Sequence, residues 1–125
     1  MALQLTLGVL PDVFTICQLA PTSAIPDWAT GSFVSITRCR DELSIVCPLA
    51  CVPELMRGDR WRCLQVAGPL DFSLIGILAA LASPLAEANI PIFAISTYNT
   101  DYLLVKEEYL EQAIAVLSQA GHRIS

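Results

Sequence analysis

Two apolar runs separated by six polar residues place the tightest constraint on this chain. Ile92–Ile95 and Tyr102–Val105 are rich in the aromatic and aliphatic side chains that suit strands packed on a core. Between them lies Ser96-Thr97-Tyr98-Asn99-Thr100-Asp101, a hairpin tip with more hydrogen-bonding side chains than a plain turn requires. Helical patterns flank the pair, Leu74–Ala88 before it and Glu107–Ala120 after it. The strand-like run Trp61–Ala67 comes first, and His122-Arg123-Ile124 can form a short last edge strand. Strand–helix–strand–strand–helix–strand is the ferredoxin-like order, an antiparallel sheet with two helices on one face.

The first helix is expected to carry its apolar stripe on Leu74, Leu78, Leu81 and Leu85, with Asp71 or Ser73 capping its start. Pro84 lies inside it and removes one backbone hydrogen bond, so a kink is expected there. Gly76, read as an early helical residue, lets something approach the first turn closely. The second helix has its stripe on Leu110, Ala113, Ile114 and Leu117. Glu107, Glu108 and Glu111 stand near its positive end, and Gly121 is a C-terminal cap.

The N-terminal half is richer in strands. Leu3, Leu5, Leu7 and Val9 alternate with Gln4, Thr6 and Gly8, and Phe14–Leu19 follows as a second strand. Ser32–Arg38 and Glu42–Cys47 read as a hairpin joined by Cys39-Arg40-Asp41, and Pro26–Ala29 as one helical turn with Trp28 anchored in a core. Pro48 to Asp59 is a connector. The expectation is an α+β chain of two ferredoxin-like lobes in tandem, residues 1–60 and 61–125, the first degenerate with a shortened helix.

The chain has 125 residues, a hydrophobic fraction of 54% and a charged fraction of 15%, which describes a core-building protein. Seven Lys and Arg without a run, at net charge -5, argue against a nucleic-acid surface. No apolar stretch reaches the ~18 residues of a membrane span, and the first residues lack a signal peptide's positive charge, so a cytoplasmic protein is expected. Five cysteines, none in C-x-x-C spacing, read as reduced core residues and not as zinc ligands. One histidine, His122, leaves no credible Ser–His–Asp arrangement, and no phosphate-binding glycine loop or H-E-x-x-H motif occurs. No enzyme, cofactor or metal is expected. A capping Asp71 and a turn Asp101 account for that pair of carboxylates better than acid–base catalysis does.

Gly68-Pro69-Leu70-Asp71-Phe72-Ser73 with Gly76-Ile77-Leu78, then Pro84-Leu85-Ala86-Glu87-Ala88, then Ser96-Thr97-Tyr98-Asn99-Thr100-Asp101-Tyr102, resembles the ACT domain. More narrowly, the pattern is similar to the subfamily found in aspartokinase regulatory regions, in small bacterial tandem-ACT proteins and in cytosolic arginine sensors. Ser35-Ile36-Thr37 and Asp41-Glu42-Leu43-Ser44-Ile45-Val46 resemble the first lobe of those small proteins. The resemblance implies an allosteric regulatory module that binds an amino acid where the first helix starts, at a lobe or subunit interface. Carried onto this chain, the ligand-binding positions are Asp71, Ser73, Gly76 and Ile77 on the loop and helix, and Ser96, Thr97, Asn99, Thr100 and Asp101 on the hairpin. It also implies a homodimer, since such lobes pair and a small sheet leaves edges to cover. No catalytic domain accompanies the module, so a regulated enzyme is expected as a separate chain. The alternative is an assembly module of the same fold without a metabolite.

Overall fold

The computed structural model describes residues 3–68, 70 and 75–125. The strands are β1 (Thr6–Val9), β2 (Phe14–Leu19), β3 (Ser35–Arg38), β4 (Leu43–Pro48), β5 (Trp61–Val66), β6 (Phe93–Ser96), β7 (Asp101–Lys106) and β8 (Arg123–Ile124). The helices are α1 (Ile77–Glu87) and α2 (Leu110–Gln119), and short 3-10 turns occupy Leu49–Cys51, Glu54–Met56 and Glu107–Tyr109. The fold is α+β. The chain divides into two compact units, Met1–Pro11 with Arg62–Ser125, and Asp12–Trp61.

The larger unit has β5, α1, β6, β7, α2 and β8 in the ferredoxin-like order, and its strands lie side by side as β6-β7-β5-β1-β8. The sequence pattern assigns the first strand to the first lobe. Instead β1 sits between β5 and β8, antiparallel to the former with Leu7 opposite Val66, and parallel to the latter with Leu7 opposite Ile124. The β6–β7 hairpin pairs Phe93 with Leu104 and Ser96 with Asp101. Period-2 alternation puts Leu64, Val66, Leu103 and Val105 on the face that meets the helices. There they form one core with Leu5, Leu7, Ile77, Leu81, Leu85, Ile90, Ala113 and Leu117.

Helix α1 differs from expectation at its start and in its stripe. Gly76, at φ +85°, is the residue before the helix and not a member of it, so α1 begins at Ile77. The buried stripe is Ile77, Leu81 and Leu85, spaced one turn apart, while Leu78 is exposed. The expected start at Leu74 lies outside the described residues. Both helices end in the same way. Asn89, in the left-handed region, is followed by Ile90 donating to the carbonyl of Leu85 at 3.0 Å; Gly121, also left-handed, is followed by His122 donating to Leu117 at 3.1 Å. This six-to-one bond satisfies a carbonyl that the helix end would otherwise orphan.

The smaller unit is a three-stranded antiparallel sheet in the order β3-β4-β2, with Ile16 opposite Val46 and Ile36 opposite Ile45. Cys17, Leu43, Ile45, Cys47 and Val52 form its core, with Trp28 packed against it. The shortened helix has shrunk to a turn at Asp27 and Trp28, closed by the N–H of Ala29 donating to Pro26 at 3.2 Å.

Candidate functional site

A cavity of about 340 Å³ opens between the start of α1 and the tip of the β6–β7 hairpin. Gly76, Ile77 and Leu78 line it at the helix start, Ser96 through Asp101 from the hairpin, and Leu70 from the segment between β5 and α1. Seven of the residues named from sequence therefore meet at one pocket: Gly76, Ile77, Ser96, Thr97, Asn99, Thr100 and Asp101. The other two, Asp71 and Ser73, lie outside the described residues. Leu70, Leu78 and Tyr98 also line it and are not among the site residues expected from the sequence, which assigns Leu78 to the buried stripe of the helix. An exposed leucine in a helix pattern and an exposed tyrosine in a turn are ordinary taken alone.

The hairpin tip is held by its own side chains. The N–H and the hydroxyl of Thr97 both donate to the carbonyl of Thr100, at 2.9 and 3.1 Å. The Thr100 hydroxyl, on a residue only 5% exposed, donates to the carbonyl of Val66 at the end of β5, at 2.7 Å. The N–H of Leu70 donates to the carbonyl of Asn99 at 2.6 Å. Gly68 lets the backbones approach closely beneath this junction, where a Cβ would lie 3.1 Å from both the Asn99 carbonyl and Cβ of Thr100 and would push them by a few tenths of an ångström. The hairpin and the loop leaving β5 are thus fixed to each other, which sets the wall of the pocket opposite the helix.

The two ends of the pocket differ in charge. On one side, the first amides of α1 have no carbonyl partner within the helix, and among the described residues no side chain caps them. Their partial positive charge is uncompensated within the helix, since no acidic residue stands in the first turn. Gly76 leaves open space where a side chain would begin. On the other side, Asp101 is half-buried and accepts a 2.5 Å hydrogen bond at Oδ1 from the Ser96 hydroxyl. That bond orients the carboxylate and leaves its other oxygen for a cation. A donor-rich end and an acceptor-rich end in one cavity match a molecule with separated negative and positive groups.

Burial raises the thiols of three of the five cysteines, Cys17, Cys47 and Cys63. Burial pushes the Cys63 thiol up to about 12. Burial, reinforced by Cys17 and Cys51, pushes Cys47 up to about 11, and burial also raises Cys17. A thiol held protonated is a weak nucleophile and a weak ligand. Among the described residues no cluster of His, Cys, Asp and Glu could hold a metal ion, and no helix is long and apolar enough to cross a membrane.

The arrangement is that of a ferredoxin-like domain with a ligand-sized pocket at a helix start. The ACT domain family model matches residues 57–119, half of the chain, and the chain belongs to that family. A second family model, described as an N-terminal domain, matches residues 12–55. A crystal structure of an Agobacterium tumefaciens protein is 41% identical, with a TM-score of 0.93 over 99% of this chain and 94% of that one. The human cytosolic arginine sensor for mTORC1 subunit 1 is 43% identical over 63 residues, which is 50% of this chain. That match spans only 19% of the sensor's own length. The regulatory subunit of aspartate kinase from Thermus flavus shares the fold, with a TM-score of 0.61 at 13% identity over 96% of this chain and 99% of that one. The expected ACT family is therefore found, with sequence similarity to an arginine sensor over half of the chain and a fold shared with an aspartate kinase regulatory subunit.

Proposed function

We propose that the pocket binds a free amino acid and that the chain acts as a cytoplasmic, non-enzymatic regulatory module. The observation that carries this reading is the pairing of a helix start, capped by no side chain among the described residues, with Asp101 across one cavity. The ligand's carboxylate takes the first amides of α1, at Ile77 and Leu78, and its ammonium, or a cationic side chain, takes Asp101. Asp71 and Ser73 belong to the same proposed site through the family resemblance. Membership of the ACT family and likeness to a protein named as an arginine sensor support the class of ligand. The proposed partner is a regulated enzyme.

A thermal-shift screen of the twenty amino acids tests the reading. A ligand at one hundred times its dissociation constant raises stability by about 2.7 kcal/mol. Asp101→Ala should lower affinity for the hit by about 1.5–3 kcal/mol, one to two decades. Unchanged calorimetric affinity in folded Asp101→Ala protein places the ligand elsewhere.

A second reading, an assembly module, is favoured by the apolar residues near the pocket: Ile75 is 92% exposed and Tyr98 81%. Among the described residues β6 pairs only with β7, which leaves a sheet edge. A homodimer covers such surfaces. Light scattering that finds a monomer at high micromolar concentration removes it.

A further inference from the structure

Pro84 lies inside α1 and brings no backbone N–H. The carbonyl of Ala80, four residues earlier, therefore lacks its ordinary helical donor. Nε2 of His122 lies 3.2 Å from that carbonyl. The other ring nitrogen, Nδ1, lies 3.1 Å from the backbone nitrogen of Leu5, whose N–H donates to it. Nδ1 is thus an acceptor, so the proton of the neutral ring sits on Nε2 and is donated to Ala80. The ring is buried, at 6% exposure. The left-handed turn at Gly121 delivers it there, just past the end of α2.

We propose that His122 is a positioning residue for the pocket. Its imidazole replaces the helix bond that Pro84 removes and clamps the first half of α1 to the segment entering β1. Ala80 is also bonded to the helix start, through its N–H to the carbonyl of Gly76 at 2.8 Å. Displacement of Ala80 is therefore passed to Gly76, which lines the pocket with Ile77 and Leu78. The clamp stands on this geometry alone; its effect on a ligand rests on the amino-acid reading above.

The test is a double-mutant cycle in the full chain with His122→Ala and Pro84→Ala. Pro84→Ala restores a backbone N–H four residues after Ala80. In that background the loss caused by His122→Ala should be at least tenfold smaller in the unfolding equilibrium constant, about 1.4 kcal/mol. Equal losses in both backgrounds overturn the clamp. His122→Phe, which keeps ring volume without either nitrogen, serves if the alanine variant does not fold. Amide hydrogen exchange at Ala80 and Leu81 should quicken at least tenfold in the His122 variant and recover in the double variant. Unchanged exchange overturns the coupling to the helix start. The twenty amino acids are then titrated into each folded protein. A binder should lose at least tenfold affinity in His122→Phe and regain it with Pro84→Ala; a melting temperature that falls with affinity unchanged overturns the positioning role. If none of the twenty stabilises the wild type, the amino-acid reading fails, and cycle and exchange still decide the clamp.

Discussion

Thr100 and Gly76 are small residues on opposite walls of the pocket, and each is fixed by one physical requirement. The Thr100 hydroxyl satisfies the Val66 carbonyl in a buried setting. Thr100→Val keeps the shape and orphans that carbonyl, so urea unfolding should show a loss of about 1–3 kcal/mol. At Gly76 the requirement is backbone hand. Nothing lies within 4 Å of a Cβ built there, yet φ is +85°, so Gly76→Ala should cost about 1–2 kcal/mol through strain and not through a clash. The thiols set a requirement of a different kind. Cys63 stays protonated in the folded chain up to about pH 12, whereas its ordinary value is 9.0. Between those values the unfolded chain binds fewer protons than the folded one, so stability is full below about pH 9 and falls as pH rises toward 12. Denaturant midpoints measured from pH 7 to 11 should be flat and then decline, and Cys63→Ala should reduce the decline.

At the scale of elements, α1 shows what a pattern can and cannot convey. The sequence presents leucines at 78, 81 and 85 as one stripe, but the buried residues are Ile77, Leu81 and Leu85. Periodicity locates a helix well and its rotation poorly when apolar residues fill adjacent positions. Leu81→Ala should therefore cost about 2–5 kcal/mol, and Leu78→Ala, at 37% exposure, much less. A comparison of melting temperatures decides between the two stripes. The hairpin is legible because strand, turn and strand are local, and its tip residues gather for the same reason. The helix start is not, because a glycine at positive φ and a glycine in a first turn look alike in a sequence. The position of β1 has no local signal at all, since its partners Val66 and Ile124 are distant in the chain and any alternating strand would suit them.

At the scale of the whole molecule, the smaller unit, Asp12–Trp61, interrupts the larger one, whose first strand precedes it and whose remaining elements follow it. The β1 strand carries Leu7, fully buried in the core of the larger unit, and is the strand that β8 pairs with. Leu7→Asp should accordingly abolish amide protection in β5, β8 and α2 together, and a loss of protection confined to the mutated strand would contradict this interlocking. The same feature sets an order of events during synthesis. A ribosome makes β1 long before β8, and the hydrogen bond from Leu5 to His122 spans a separation of 117 residues. Closing so long a loop precedes the contacts that reward it, which slows folding at a given stability. Until then the nascent larger unit exposes the open edge of β1 and the leucines meant for its core. Its vulnerable interval in a cell therefore lasts from the synthesis of β1 to that of β8, and a holdase that covers an apolar edge strand should raise its soluble yield more than one that acts after release.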